Sequence, residues 1–240
     1  MNCNLNIEAG GVFSKYMFGI QNAAQCDCDL YYFNIIDHRS TPNMFNYVLD
    51  QTYDSSYVTF DCSNLGSYHK LNPIEKSDNY SKYIEVVNKL KINNELLKKV
   101  DYYVDKFGIN ESTVGVHIRL TDMNIIHERD YGVLSFENFN SQLNSDTKYF
   151  ISSDNRESIN KLKELYGDNI NYVEDMIRCE FEGDNSTSLQ LDNFRNPQLW
   201  IESFLEMLLL SKCGTLICRS SNLSNASIIN SKTIKNIIRL

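Results

Sequence analysis

The stretch Val114-Gly115-Val116-His117-Ile118-Arg119-Leu120-Thr121-Asp122 decides how the chain folds. β-Branched residues around a glycine, with no helical period, predict a short buried strand over 114–118. The strand runs straight into polar groups, and the carboxyl edge of an open α/β sheet is where such folds bind ligands. His117 and Arg119 are two residues apart and share a face, with Thr121 following if the strand continues. A strand end with a solvated arginine and a capping Thr-Asp pair has the same local pattern, so the flanking segments carry the decision.

Downstream, residues 123–133 read as a polar loop and 134–143 as a helix. A second strand over 148–154 ends in Ser152-Ser153-Asp154. An amphipathic helix over 155–166 follows, with Ile159, Leu162 and Leu165 on one face and Gly167 closing it. Residues 171–173 form a third strand, and the acidic, small-residue stretch 178–197 reads as a surface loop. A strongly apolar helix over 198–212 precedes a fourth strand, 215–218, which ends at Arg219-Ser220-Ser221-Asn222; another helix starts at Leu223. Strand and helix alternate throughout, which predicts a parallel α/β sheet.

Upstream, residues 5–37 read as a βαβ unit: a strand over 5–9, the turn Gly10-Gly11, a helix over 13–25 and a strand over 30–36. Glycines between strand and helix let backbone N–H groups approach a ligand at a helix N-terminus. A short helix over 43–50, a strand over 55–60 and a loop over 63–78 come next. Residues 82–107 are helical, divided at Asn93-Asn94 and closed by Gly108. The division that follows is an amino-terminal domain over 1–105 and a second domain over 106–240.

Composition narrows the function. With 31 acidic against 23 basic residues the formal net charge is −8, which argues against nucleic acid as a partner; a local cationic pocket for one diphosphate is compatible with it. The 7 cysteines are odd in number and lack paired CxxC spacing, so reduced thiols are expected. No basic segment and apolar core follow Met1, and no apolar run is long enough for a membrane span, so the expectation is a soluble, cytoplasmic protein.

In a parallel sheet all strand carboxyl ends lie on one edge. Thr121/Asp122, Ser152/Ser153/Asp154 and Ser220/Ser221/Asn222 therefore share a cleft, with a helix N-terminus behind the last and Arg119 and Arg219 to meet phosphate. Each Ser/Asn cluster alone is explained by helix capping. The three together read as a nucleotide or nucleotide-sugar site.

At these residues the chain resembles a known family. His117-Ile-Arg119-Leu-Thr121-Asp122 is similar to the HxRRTD motif of the fucosyltransferases that include the α1,6-, nodulation and protein O-fucosyltransferases. Residues 149–154 are similar to the family's second motif, and 205–211 through 216–222 to its third. Gly10-Gly11 and the helix after them fit its first βα unit. The resemblance implies a GT-B-like fold of two Rossmann-type domains with parallel sheets, the amino-terminal one reduced and on the acceptor side. It implies a GDP-sugar donor, GDP-fucose first, held by 106–240, transfer to a glycan hydroxyl with inversion, and no metal or other cofactor. On this likeness Arg119 holds the β-phosphate with His117 beside it. Ser220, Ser221 and Asn222 bind the diphosphate, Glu206 meets the guanine, Asp154 lines the donor pocket, and Asp122 supports the loop or the sugar.

The chain departs from the motif at Leu120, where the family has a second arginine; Arg219 is the candidate replacement. The family's α1,6 enzymes carry an acidic base in the loop after the motif, and His127, Glu128 and Asp122 are the candidates here for removing the acceptor proton. Two alternatives stand beside GDP-fucose transfer: transfer of another activated sugar such as xylose, and a catalytically inactive nucleotide- or glycan-binding module of the same fold. Asp27-Cys-Asp29 spells a DxD but precedes a strand instead of ending one. Cys26, Cys28, His38 and His69 lack zinc-ligand spacing.

Overall fold

The computed structural model describes residues 2–7, 12–26, 28–35, 43–52, 56–61, 73–121, 134–179 and 196–240. Its strands form two parallel sheets. The first sheet holds β1 (Asn2–Ile7), β2 (Leu30–Ile35) and β3 (Val58–Asp61) in the order β2-β1-β3. Alternation sorts β1: Cys3, Leu5 and Ile7 are fully buried in the main core, while Asn4 and Asn6 pair across strands with Thr59 (3.4 Å) and Asn34 (3.0 Å). Helix α1 (Val12–Ala23) covers the apolar side through Phe13, Tyr16, Met17 and Ile20, a helical repeat. Gly19 permits the contact, since a Cβ there would stand 2.8 Å from the Phe33 ring. The expectation of reduced thiols is corrected for one pair, because Cys3 and Cys28, with Cα atoms 6.1 Å apart, are disulfide-bonded. Among the described residues Cys26, Cys213 and Cys218 are free thiols.

Between the sheets run 3-10 turns at Met44–Tyr47 and Ile74–Lys76, then α2 (Tyr80–Lys89) and α3 (Asn94–Phe107). The expected helix over 43–50 is only that first turn, and the expected strand over 55–60 is β3. Asn93 does divide the helical stretch: its side chain caps α3 by accepting from Glu95 N at 2.9 Å. Gly108 ends α3 at φ 59°, a left-handed conformation that glycine adopts without strain.

The second sheet holds β4 (Val114–Ile118), β5 (Tyr149–Ser153), β6 (Ile170–Asn171), β7 (Thr215–Cys218) and β8 (Asn236–Arg239), all parallel, in the order β6-β5-β4-β7-β8. The connecting helices are α4 (Phe136–Asn140), α5 (Arg156–Tyr166), α6 (Pro197–Leu210) and α7 (Asn222–Ile229). β8 lies beyond every strand the sequence predicts. Both faces are covered, as a parallel sheet requires. Val116, Ile118, Tyr149, Ile151 and Ile217 join a core with Ile159 and Leu162 of α5, while Phe150, Leu216 and Cys218 join the main core with α6. Gly115 lets α6 seat closely, since a Cβ would meet Leu210 at 3.0 Å. At Gly214 a Cβ would overlap the Glu111 carbonyl oxygen.

Helix α6 joins the two sheets. Its Phe204 stacks on Phe13 of α1 (5.3 Å between centroids) and meets Tyr16 edge-on (5.0 Å), while Trp200 meets Phe45 at 5.0 Å. Such pairs contribute about 0.5–1.5 kcal/mol each beyond the area they bury. Within the described residues no helix is long and apolar enough to cross a membrane.

Candidate functional site

The strand order creates the site. From β4 the chain goes to β5 on one side, and later to β7 on the other, so β4 and β7 flank the switch point where open α/β sheets bind ligands beyond their carboxyl ends. Strand register places Ser152, His117, Cys218 and Arg239 in one row across four strands at that edge. Neighbours in register share a face, and this row lies on the side covered by α6 and α7.

His117 is 4% exposed. Burial, and then the charge of Arg119, drives its pKa down to about 3, so the imidazole is neutral at ordinary pH. Its Nδ1 lies 3.3 Å from Ser221 Oγ. Ser221 is the N-cap of α7 and forms a reciprocal box with Ser224: Ser224 N donates to Ser221 Oγ at 3.1 Å and Ser221 N to Ser224 Oγ at 3.0 Å. Ser224 in turn donates to the Arg219 carbonyl at 2.8 Å. Asn222 Nδ2 donates to Ser14 Oγ of α1 at 3.1 Å, which brings the first turns of α1 and α7 together.

Asp154, just past β5, ties the motif down. It accepts from the Leu120 amide at 3.3 Å and from the Thr121 hydroxyl, and lies 3.8 Å from Arg119 Nε. Arg119 keeps 37% of its side chain exposed. Leu120 is fully buried in the core beneath α4 and α5. An arginine at this position would put a charge in that core, so the apolar residue matches its surroundings. Arg219, the expected replacement cation, is itself only 7% exposed.

On the β5 side the edge is closed by a buried ion pair. Arg178 donates to Glu206 Oε1 at 2.6 Å, to the Val173 carbonyl at 3.1 Å and to the Ser153 carbonyl. Its side chain is 2% exposed. Ser152 donates to the other Glu206 oxygen at 2.7 Å. One turn earlier on α6, Glu202 accepts from Ile177 N at 2.9 Å. Arg178 was expected in a surface loop; it is instead buried, because two carboxylates of α6 grip residues 177 and 178. Both Glu206 oxygens are thus engaged within the protein.

The structure brings together His117, Arg119, Asp154, Ser221 and Asn222 at the switch point, with Ser220 and Arg219 leading from β7 into α7. Glu206 sits on the closed side. Gly10, Gly11, Asp122, His127 and Glu128 lie outside the described residues. Sequence reasoning missed Ser224, Arg178 and Arg239. The Ser221-x-x-Ser224 spacing is a legible variant of a capping box. Arg178 carried no signal beyond being a cation in an acidic stretch, and Arg239 carried none without β8. No group of metal-ligating side chains occurs among the described residues.

No family sequence model matches the chain, and no curated protein sequence matches it. Among solved structures it is similar to the NodZ α1,6-fucosyltransferase soaked with GDP-fucose, at 11% identity and a TM-score of 0.58, over 100% of this chain and 95% of that one. NodZ from Bradyrhizobium aligns at 12% identity and a TM-score of 0.55, with the same coverage. POFUT1 in complex with GDP-fucose aligns at 9% identity and a TM-score of 0.51, over 99% and 97%. The chain therefore shares the fold of these solved structures, a GT-B-like arrangement with two parallel sheets.

Proposed function

We propose that the protein is a glycosyltransferase that moves a sugar from a nucleotide donor, GDP-fucose first, to a glycan hydroxyl with inversion and without a metal. One observation carries the reading: in a chain with a fucosyltransferase fold, His117, Arg119, Asp154 and the N-terminus of α7 converge at the switch point. Residues 106–240 take the donor and 1–105 face the acceptor.

As the sugar–phosphate bond breaks, negative charge collects on the departing diphosphate. Fixed donors aimed at that charge accelerate the step most. Arg119 supplies a cation suited to two phosphate oxygens, and the first N–H groups of α7 have no acceptor in their own helix. Asp154 fixes the 119–121 backbone, so Arg119 is preset. His117 adds a neutral hydrogen-bonding group beside it. The acceptor proton goes to Asp122, His127 or Glu128, all in the loop after the motif. Glu206, if it meets the guanine, shares its oxygens with Ser152 and Arg178.

Thermal shift with GDP, GDP-fucose and UDP-sugars tests the reading, since a ligand at 100 times its Kd adds about 2.7 kcal/mol. Stabilisation by none of them overturns it. The absence of a second arginine at position 120 favours one rival, an inactive binder. Donor hydrolysis decides: turnover by the wild type that falls in Arg119→Ala supports a transferase, and binding without turnover supports the binder.

A further inference from the structure

The row across the sheet ends on Arg239, outside the predicted site. Its Nε and Nη2 bond the two Glu75 oxygens at 3.3 and 2.7 Å, and Nη2 also reaches Asn225 Oδ1 at 3.1 Å. Its Nη1 donates to Ser220 Oγ at 3.2 Å and lies 3.8 Å from Cys218 Sγ. Burial raises Cys218 to about 11, so it stays a neutral thiol. Burial also works against the Glu75 carboxylate, but the bonds and charge of Arg239 outweigh it and keep Glu75 ionised.

The consequence falls on Ser220. A guanidinium only donates, so the Ser220 oxygen is the acceptor and the hydroxyl has one proton left to give. Among the described residues nothing takes that proton, and Arg239 is the side chain's one hydrogen-bond partner. Ser221 differs: its oxygen caps α7, and Ser224 Oγ and His117 Nδ1 are both within reach of its proton. The cradle's available hydroxyl proton is therefore the one beside Arg239.

The geometry points to Arg239 as a positioning residue of the donor site: it orients the Ser220 hydroxyl to donate to the diphosphate, while Glu75 tempers its charge there. This rests on the nucleotide-donor reading above. The competing role is purely structural, an ion pair fastening β8 to the turn at residues 74–76. The two roles predict different binding patterns.

GDP affinity is measured by calorimetry for the wild type, Arg239→Ala, Ser220→Ala, the double variant and Glu75→Gln, each checked for folding by circular dichroism. A hydrogen bond to a charged group is worth about 10-fold or more in affinity. Arg239→Ala and Ser220→Ala should each lose about that factor, and the double variant no more than the worse single one. Glu75→Gln should bind as tightly as wild type or a few-fold tighter, with a steeper salt dependence. Additive losses, or a Glu75→Gln loss that parallels Arg239→Ala, overturn the proposal. If Arg239→Ala does not fold, Ser220→Ala carries the test: it must abolish any gain from Glu75→Gln and match the GDP affinity of Arg239→Lys/Ser220→Ala. A wild type that binds no nucleoside diphosphate overturns the donor reading itself. A wild type that binds GDP no better than Arg239→Ala overturns only the role of Arg239.

Discussion

The two ends of one carboxyl edge treat their arginines in opposite ways. On the β5 side Arg178 is 2% exposed and bonded to Glu206 and two backbone carbonyls. On the β4 side Arg119 keeps 37% of its side chain exposed and meets Asp154 at the looser distance of 3.8 Å. A charge buried and bonded to a carboxylate in this way serves the structure. Partial exposure keeps part of the Arg119 side chain at the surface of the carboxyl edge. The sheet therefore divides into a closed side that holds the fold and an open side where the proposed donor contact lies.

The sharpest way to break that comparison is Arg178→Met. Removing one partner of a buried pair strands the other charge, at a cost of about 3–5 kcal/mol. Urea unfolding should show this loss, with part of it restored in Arg178→Met/Glu206→Gln. A loss below about 1 kcal/mol, the range of an exposed pair, means the β5 side is not closed by this contact. Arg119→Ala is the mirror experiment. Its half-exposed pair should contribute less than about 1 kcal/mol to stability, while GDP affinity falls about 10- to 100-fold. Equal damage to stability and binding would erase the distinction between the two sides.

His117 sharpens the open side through pH. Its pKa is lowered to about 3 in the folded chain, against about 6.5 in the unfolded one. Below pH 6.5 the unfolded state therefore binds the extra proton, so stability falls as pH drops from about 6.5 towards 3. One proton sets the slope at no more than about 1.4 kcal/mol per pH unit. His117→Gln should flatten the acid limb of a stability–pH curve by up to that amount. An unchanged limb means the ring is already able to charge in the fold.

How much of this was legible follows from which forces are local. The strands β4, β5 and β7 and the polar ends that converge at the switch point could be read, because alternation and parallel topology are written in short windows. Helix α3, its start at the Asn93-Asn94 division and its Gly108 cap were equally plain. Strand β8 was not, since Asn-Ile-Ile-Arg is four residues long and gains its identity from pairing with β7. Arg239 was hidden with it. Arg178 was misplaced because burial of a charge depends on a carboxylate 28 residues away in sequence. Leu120 read as a lost cation; the fold shows it as a core residue whose neighbours 119 and 121 carry the polar contacts. The Cys3–Cys28 bond has no counterpart in spacing rules, since the βαβ crossover brings those positions together.

The smallest effect separates capping from ligand binding within α7. Ser221 Oγ accepts from Ser224 N and stands beside His117, whereas Ser220 Oγ accepts from Arg239. Ser221→Ala removes a helix cap, which typically costs about 1 kcal/mol, and leaves His117 Nδ1 without its hydroxyl neighbour. Its stability loss should exceed that of Ser220→Ala, and its loss of GDP affinity should be the smaller of the two. Paired urea melts and GDP titrations on these two variants check the order directly. A reversal, with Ser220 holding the fold and Ser221 the nucleotide, would move the phosphate contact one residue into α7 and make His117 part of the same hydrogen-bonded chain to the donor.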